Sequence, residues 1–485
     1  MYYLFREGFE HVNEHKLESK QFTTLISELG VFYTIEICIN KKKRIKICDS
    51  LKLIPYSVSD IPKKFGLTVT KGDIDYNKPR PIGYTPTAEE IDYIHRDVLV
   101  VAHALEYFFE KNYTKMTIGS NALEDFKKTL HCDFRKIFPI LDIDKEIRQA
   151  YKGGFTYLKK EYAEVDLPEG IVLDVNSLYP DVLYNCPMPY GEPIFFRGKY
   201  KYDESYPLYI QMLECQFEIK QGHLPTIQLK NSMKHITPEY VESSGNESVV
   251  LCLTSVDLEL FFNHYNVYDI TYISGYKFKS NCEIFKAYIE KWMHEKETND
   301  DNIGLRTLCK LFMNNVYGKF STNPLSRRNM PKYIRQTDEV KYIKSEEEER
   351  EPVYIPVGCF VTAWARYKTI TTAQRLYHRF IYSDTDSVHL LGAELPDCVN
   401  IHPTKLGAFK HEETFQKARY IRAKSYIHMV DGVEHITCAG MPKACHKYVT
   451  WDNYHVGLEI EGKLKRKRVS GGVVLSESPH KLRKV

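Results

Sequence analysis

The chain has 485 residues, 43% of them hydrophobic and 27% charged, which is enough for several domains and far too long to need disulfide stapling. A net charge of +3 gives no global sign of a polyanionic partner. No apolar stretch reaches membrane-spanning length, no N-terminal signal pattern is visible, and the 12 scattered cysteines show no C-x-x-C or zinc spacing, so they read as reduced thiols of a cytosolic protein.

Met1 is followed at once by a short amphipathic helical pattern. Residues 30–35 and 44–48 read as strands, and Asp92–Phe109 as a helix. A Lys- and Asp-rich stretch then leads to Tyr151-Lys152-Gly153-Gly154, where paired glycines permit close backbone approach. Ile171-Val172-Leu173 is a buried-strand run ending in Asp174. Residues 190–280 alternate strand-like runs with Gly and Pro turns and suggest a β-rich region. Ile303–Phe320 is a strong helix, and 321–355 is a polar excursion with three prolines and the acidic run Glu346–Glu349. A helical pattern from Phe360 to His378 delivers the chain to Tyr382-Ser383-Asp384-Thr385-Asp386-Ser387. Apolar runs on both sides of that polar hexapeptide read as a β-hairpin. Short strands follow, with the basic run Lys463-Leu464-Lys465-Arg466-Lys467-Arg468 near the end.

Two carboxylates one residue apart on a hairpin repel and call for a cation, and oxygen ligands suit Mg²⁺. A solvated turn is the competing reading. Asp174, 210 positions earlier at a strand end, adds a third carboxylate, with a helix N-cap as its alternative. Such a set can hold two metal ions for phosphoryl or nucleotidyl transfer. On the helix 303–320, Arg306, Lys310, Asn314 and Tyr317 are spaced four, four and three apart and share one face. A cationic face with a planar ring suits a nucleoside triphosphate, and an ordinary solvated face is the alternative. Leu305, Leu308, Phe312 and Val316 form a separate apolar stripe.

Five ordered motifs resemble those of family B DNA polymerases. Tyr151-Lys152-Gly153-Gly154 is similar to the Y-x-G-G linker motif, and Asp174-Val175-Asn176-Ser177-Leu178-Tyr179-Pro180 to D-x-x-S-L-Y-P. Lys310 to Gly318 resembles K-x-x-x-N-S-x-Y-G, with Asn315 where the family has Ser. Tyr382 to Ser387 resembles Y-x-D-T-D-S, and Lys424-Ser425-Tyr426 resembles K-x-Y. The likeness is nearest to the protein-primed branch of small tailed bacteriophages with linear genomes. It implies an α+β right-hand polymerase, with palm, fingers and thumb, behind a partial ribonuclease-H-like 3′–5′ exonuclease domain. Residues 1–115 would be that partial domain and 116–485 the polymerase. The palm would take 150–190, 281–302 and 356–430, the fingers about 303–320 and the thumb about 431–485. A first insertion, about 190–280, would be the platform for a priming protein. A second, about 321–355, would be a strand-displacement loop.

The resemblance also implies site residues and partners. Asp174 and Asp386 would be the main metal ligands for two Mg²⁺ ions, with Mn²⁺ as a substitute; Asp384 would lie beside them and the Val175 carbonyl would assist. Tyr179 would sit under the deoxyribose, while Lys310, Arg306 and Lys296 would grip the triphosphate. Asn314 and Tyr317 would face the nascent base pair. Lys424 and Tyr426 would hold the primer end, and Tyr151, Gly153 and Gly154 the template. Partners would be template-primer DNA, dNTPs and a terminal priming protein, for a monomer working in the bacterial host cytoplasm. The early D-x-E and N-x-x-x-D exonuclease motifs do not appear; Ser50, Leu51, Lys71, Tyr93 and Asp97 resemble the later ones. Proofreading is therefore expected to be lost, with an exposed sheet edge and an apolar patch where strands are missing. A catalytically inactive DNA-binding scaffold is the alternative function, and a ribonucleotide-using polymerase a further one, against which Tyr179 argues.

Overall fold

The structure, a computed structural model, describes residues 1–483 except 14–15, 76–77, 82, 229–239, 300 and 470–471, and the side chains of 444, 463–469 and 472–477 are likewise left aside. The basic run 463–468 thus has its backbone described, in the strand Glu459–Val469, and not its side chains. In chain order the elements used below are α1 (Ala88–Phe109), α2 (Ile118–Thr129), β1 (Thr156–Leu158), β2 (Gly170–Val175), α3 (Leu178–Asn185), α4 (Ser255–His264), α5 (Lys286–Thr298), α6 (Ile303–Phe320), α7 (Ile355–Arg375), β3 (Phe380–Asp384), β4 (Ser387–Leu391), β5 (Phe409–Phe415), β6 (Lys417–Arg422) and β7 (Ser425–Val430).

The chain forms two compact units. The first joins Met1–Asp133 to Phe285–Glu351. It holds a four-stranded sheet, Glu10–His11, Gln21–Ile26, Phe32–Asn40 and Lys43–Cys48 in that order. The last strand is an edge with every residue exposed, Ile45 and Ile47 included, and Ile91, Ile94, Val98 and Leu99 of α1 are exposed as well. α1 starts four residues before the expected Asp92. Thr87 and Glu90 close a reciprocal capping box, Glu90 N donating to Thr87 Oγ1 and Thr87 N to Glu90 Oε2. α6 has the expected bounds, and Leu305, Leu308, Phe312 and Val316 are buried as its period requires. It lies on α2 and α5, with Phe312 4.5 Å from both Tyr113 and Trp292, ring centre to ring centre. Buried Asp125 ties this group together, accepting from Tyr113, Lys291 and Trp292. The segment 281–302, expected with the palm, is thus divided: α5 packs beside α6 in the first unit. The excursion at 321–351 consists of two antiparallel strand pairs.

The second unit joins Phe134–Ile284 to Pro352–Val469 and the last strand. Its centre is a five-stranded antiparallel sheet in the order β5-β2-β4-β3-β1. The described residues between 188 and 281 form the expected β-rich region, whose main feature is a four-stranded sheet with α4 laid on one face. α7 runs Ile355–Arg375 rather than from Phe360, because Pro356 falls in the first turn, where its missing N–H costs nothing. Arg366 of α7 is 1% exposed and reaches Asp257 of α4 with two nitrogens, at 2.8 and 3.0 Å. Asp144 and Asp257, the first residues of the sequences Asp144-Lys145-Glu146 and Asp257-Leu258-Glu259, make structural ion pairs: Asp257 with Arg366, and Asp144 with Arg148.

Candidate active site

β2 and β4 are neighbours because both are short runs of β-branched and apolar residues buried on both faces. Their register sets Asp174 opposite Ser387, and Ser387 in turn opposite Asp384 across the hairpin. Val175 N donates to the Asp386 carbonyl at 2.8 Å, so Asp174 and Asp386 sit at the same end of these neighbouring strands. Asp174 is therefore no helix cap. α3 starts after Ser177, which lies at φ +56 without a side-chain capping bond.

The hairpin turn is strained. Thr385 lies at φ +64, which is costly for a β-branched residue. Thr385 N donates to the Phe155 carbonyl and Asp386 N to the Asp384 carbonyl, both at 2.7 Å, and these bonds hold the turn. A Cβ on Gly154 would come within 2.8 Å of the Thr385 side chain. The second glycine of the Y-x-G-G motif thus admits the turn; at Gly153 nothing lies within 4 Å. Arg366 Nη1 donates to the carbonyls of Lys152 and Gly153 at 2.9 and 2.6 Å and fixes this linker.

The three carboxylates differ electrostatically. Asp384 Oδ1 accepts from Lys424 Nζ at 2.7 Å and from Thr156 Oγ1 at 3.2 Å. Neither Asp174 nor Asp386 has a salt-bridge partner among the described residues. Burial, then the charge of Asp386, pushes Asp174 up to about 7. Burial, then the charge of Asp384, raises Asp386. Lys410 lies opposite Asp174 on β5, but it also pairs with Glu412. Among the described residues no three His, Cys, Asp or Glu side chains converge as a metal cluster.

The remaining expected residues fall as follows. Tyr179 is half-buried in the first turn of α3, and Tyr151 is half-buried before the glycines. Lys424, at φ +57, directly precedes β7 and Tyr426 is its second residue, and Lys424 N donates to the Tyr382 hydroxyl at 2.9 Å. In the first unit Lys310 and Asn314 are exposed and Arg306 and Tyr317 half-buried, on the accessible side of α6. Lys296 is half-buried in the last turn of α5. Lys71 Nζ stands 5.4 Å from the centre of the Tyr93 ring, and Asp97 follows one turn on in α1, its Oδ1 buried without a hydrogen-bond partner. Ser50 and Leu51 lie in a tight turn capped by Asp49. The sequence reading missed Thr156, Thr385, Lys410 and Arg366. Only Lys410 carried a signal, a lysine two residues from a glutamate on a strand.

Acids on adjacent strands of a five-stranded sheet, and a separate helix with a cationic face, are features that a nucleotidyl-transferring polymerase of the right-hand class requires. Residues 18–400 match the family described as DNA polymerase type B, organellar and viral, and the chain belongs to it. It is 46% identical to the DNA polymerase of Bacillus phage phi29, over 94% of this chain and 83% of that protein. It is 33% identical to that of Streptococcus phage Cp-1, over 95% and 83%. The solved phi29 DNA polymerase complexed with primer-template DNA superposes with a TM-score of 0.94 at 43% identity, over 99% of this chain and 88% of that one. The ternary complex with incoming nucleotide gives 0.92, over 99% and 88% at 43% identity. The expected class stands: a protein-primed family B DNA-directed DNA polymerase with a right-hand fold and an exonuclease domain. No helix among the described residues is long and apolar enough to cross a membrane.

Proposed function

We propose that Asp174 and Asp386 hold divalent ions for extension of a DNA primer 3′ end with dNTPs, and that Lys424 serves the primer strand. One observation carries this reading: two half-buried carboxylates, one raised to about 7, share one end of the central sheet with no salt-bridge partner among the described residues. Such a pair stays anionic only beside a cation, and oxygen donors fit Mg²⁺, with Mn²⁺ as a substitute. Two ions bound there, with the Val175 carbonyl assisting, would activate the attacking oxygen and steady the leaving pyrophosphate.

The protein's own groups do the rest. Lys310, Arg306 and Lys296 grip the triphosphate, and Asn314 and Tyr317 face the nascent pair. Tyr179 closes the space a 2′-hydroxyl would need. Tyr151, Gly153 and Gly154 guide the template, and Tyr426 backs the primer end. Mg²⁺-dependent primer extension, lost by at least roughly a thousandfold in Asp386→Ala, tests the assignment; an equally active variant refutes it. Tyr179→Val should admit ribonucleotides, and unchanged rejection would remove Tyr179 from the site.

The same reading assigns residues 1–115 to the partial exonuclease domain, 190–280 to a platform for a terminal priming protein, 303–320 to the fingers, 321–355 to a strand-displacing loop and 431–485 to the thumb, for replication of a linear genome in the host cytoplasm. Deletion of 321–355 should spare extension on single-stranded template and stop it at a downstream duplex. The D-x-E and N-x-x-x-D motifs that would complete a carboxylate set around Asp97 do not appear in this sequence. Release of a mispaired 3′ nucleotide should therefore be undetectable and insensitive to Asp97→Ala.

A further inference from the structure

Beneath the hairpin runs a chain of buried hydrogen bonds that the nucleotidyl-transfer roles above leave unused. Glu413 on β5, with its side chain 25% exposed, accepts from His428 Nδ1 at 2.5 Å. His428 Nε2 lies 2.8 Å from the Tyr420 hydroxyl, which lies 2.9 Å from His389 Nδ1. His389 Nε2 lies 3.4 Å from Ser387 Oγ. His428, Tyr420 and His389 are 1%, 0% and 2% exposed. The chain thus crosses β5, β7, β6 and β4 and ends at the residue paired in register with both Asp174 and Asp384.

Each link constrains the next. A carboxylate only accepts, so His428 Nδ1 carries a proton. The Tyr420 hydroxyl proton is assigned to His428 Nε2, and the Tyr420 oxygen then accepts from His389 Nδ1. Complete burial keeps His389 uncharged, so its Nε2 is left as an acceptor and takes the Ser387 hydroxyl proton. The last link, at 3.4 Å, is the longest, so it is the most readily remade. His435 Nδ1 meets the other oxygen of Glu413 at 3.4 Å, and Phe415 and Tyr426 lie against the ring of His428. A buried polar series of this length is dearer than the apolar core beside it, made of Val172, Ile381 and Ala418, and it needs complete satisfaction to persist.

We infer that Glu413 is a positioning residue: through His428, Tyr420 and His389 it turns the Ser387 hydroxyl away from Asp174, its partner in register, and so keeps that carboxylate's oxygens free for cations. The inference rests on the metal-holding role proposed above for Asp174. Partners one shell out from metal ligands typically change metal affinity by roughly 10- to 100-fold when removed. Mn²⁺ binding to the full chain, followed by electron paramagnetic resonance, is the test, alongside steady-state primer extension. Tyr420→Phe and Glu413→Ala should each weaken Mn²⁺ roughly tenfold. Both should lower kcat at fixed metal and leave the KM for dNTP unchanged. Ser387→Ala should bind Mn²⁺ about as the parent does and, combined with Glu413→Ala, cancel that variant's defect, since no hydroxyl is left to misdirect. If Tyr420→Phe loses its circular dichroism signal, Glu413→Ala, at the solvent end, carries the test alone. Unchanged Mn²⁺ affinity in folded Glu413→Ala, or a defect that persists on the Ser387→Ala background, overturns the inference. Equal Mn²⁺ binding by the parent and Asp386→Ala would instead refute the metal site itself.

Discussion

Gly154 shows how one residue decides the geometry of the hairpin. Adding a methyl group there puts a carbon 2.8 Å from Thr385, whose strained turn has no slack. Gly154→Ala should cost about 1–3 kcal/mol by overpacking, read from urea unfolding, and should depress primer extension further by moving Asp384 and Asp386. Gly153→Ala meets nothing within 4 Å and should leave the unfolding midpoint unchanged. Any loss of activity in that variant then reports contact with the template rather than a misplaced hairpin. The glycine pair was legible in the sequence as a place of close approach. Which of the two is approached, and by what, depends on a turn 230 residues away in the chain, between β3 and β4.

Among elements, α7 and α4 are joined by the buried Arg366–Asp257 pair, which also presents two donors to the linker carbonyls. Asp257→Ala leaves a guanidinium uncompensated at 1% exposure and should destabilise by about 3–5 kcal/mol, measured by chemical denaturation. In the first unit, Asn302 caps α6 by accepting from Leu305 N at 2.9 Å. Asn302→Ala should cost about 1 kcal/mol, visible as a lowered melting temperature. The bounds of α6 were legible because its apolar stripe is uninterrupted, whereas α1 and α7 both start earlier than their apolar periodicity. For α1 the signal lay in Thr87 and Glu90, and for α7 in a proline tolerated in the first turn.

Across the whole molecule, buried histidines link stability to pH. Burial lowers His264 from 6.5 to about 4, and His11 in the first unit likewise. The unfolded chain therefore binds protons that the folded one refuses, so stability is whole above pH 6.5 and falls as pH drops toward 4. At pH 5, His264 alone should remove roughly 2 kcal/mol, and urea unfolding of His264→Gln at pH 7 and pH 5 should show a shallower loss.

The sequence by itself determined the chemistry. Five short motifs in order fix which residue types are available, and carboxylate counting singles out one strand end and one hairpin tip as the place proposed for a metal-dependent transfer. Local periodicity determined most elements, since burial of one face at a spacing of 3.6 or 2 is a property of neighbouring residues. Only the tertiary structure decided which carboxylate is already neutralised: Lys424, 40 residues on, reaches Asp384 and leaves Asp174 and Asp386 without a salt-bridge partner among the described residues. The relay from Glu413 to Ser387 was equally invisible in the sequence, because its members alternate along four strands whose register is set by sheet pairing rather than by local spacing.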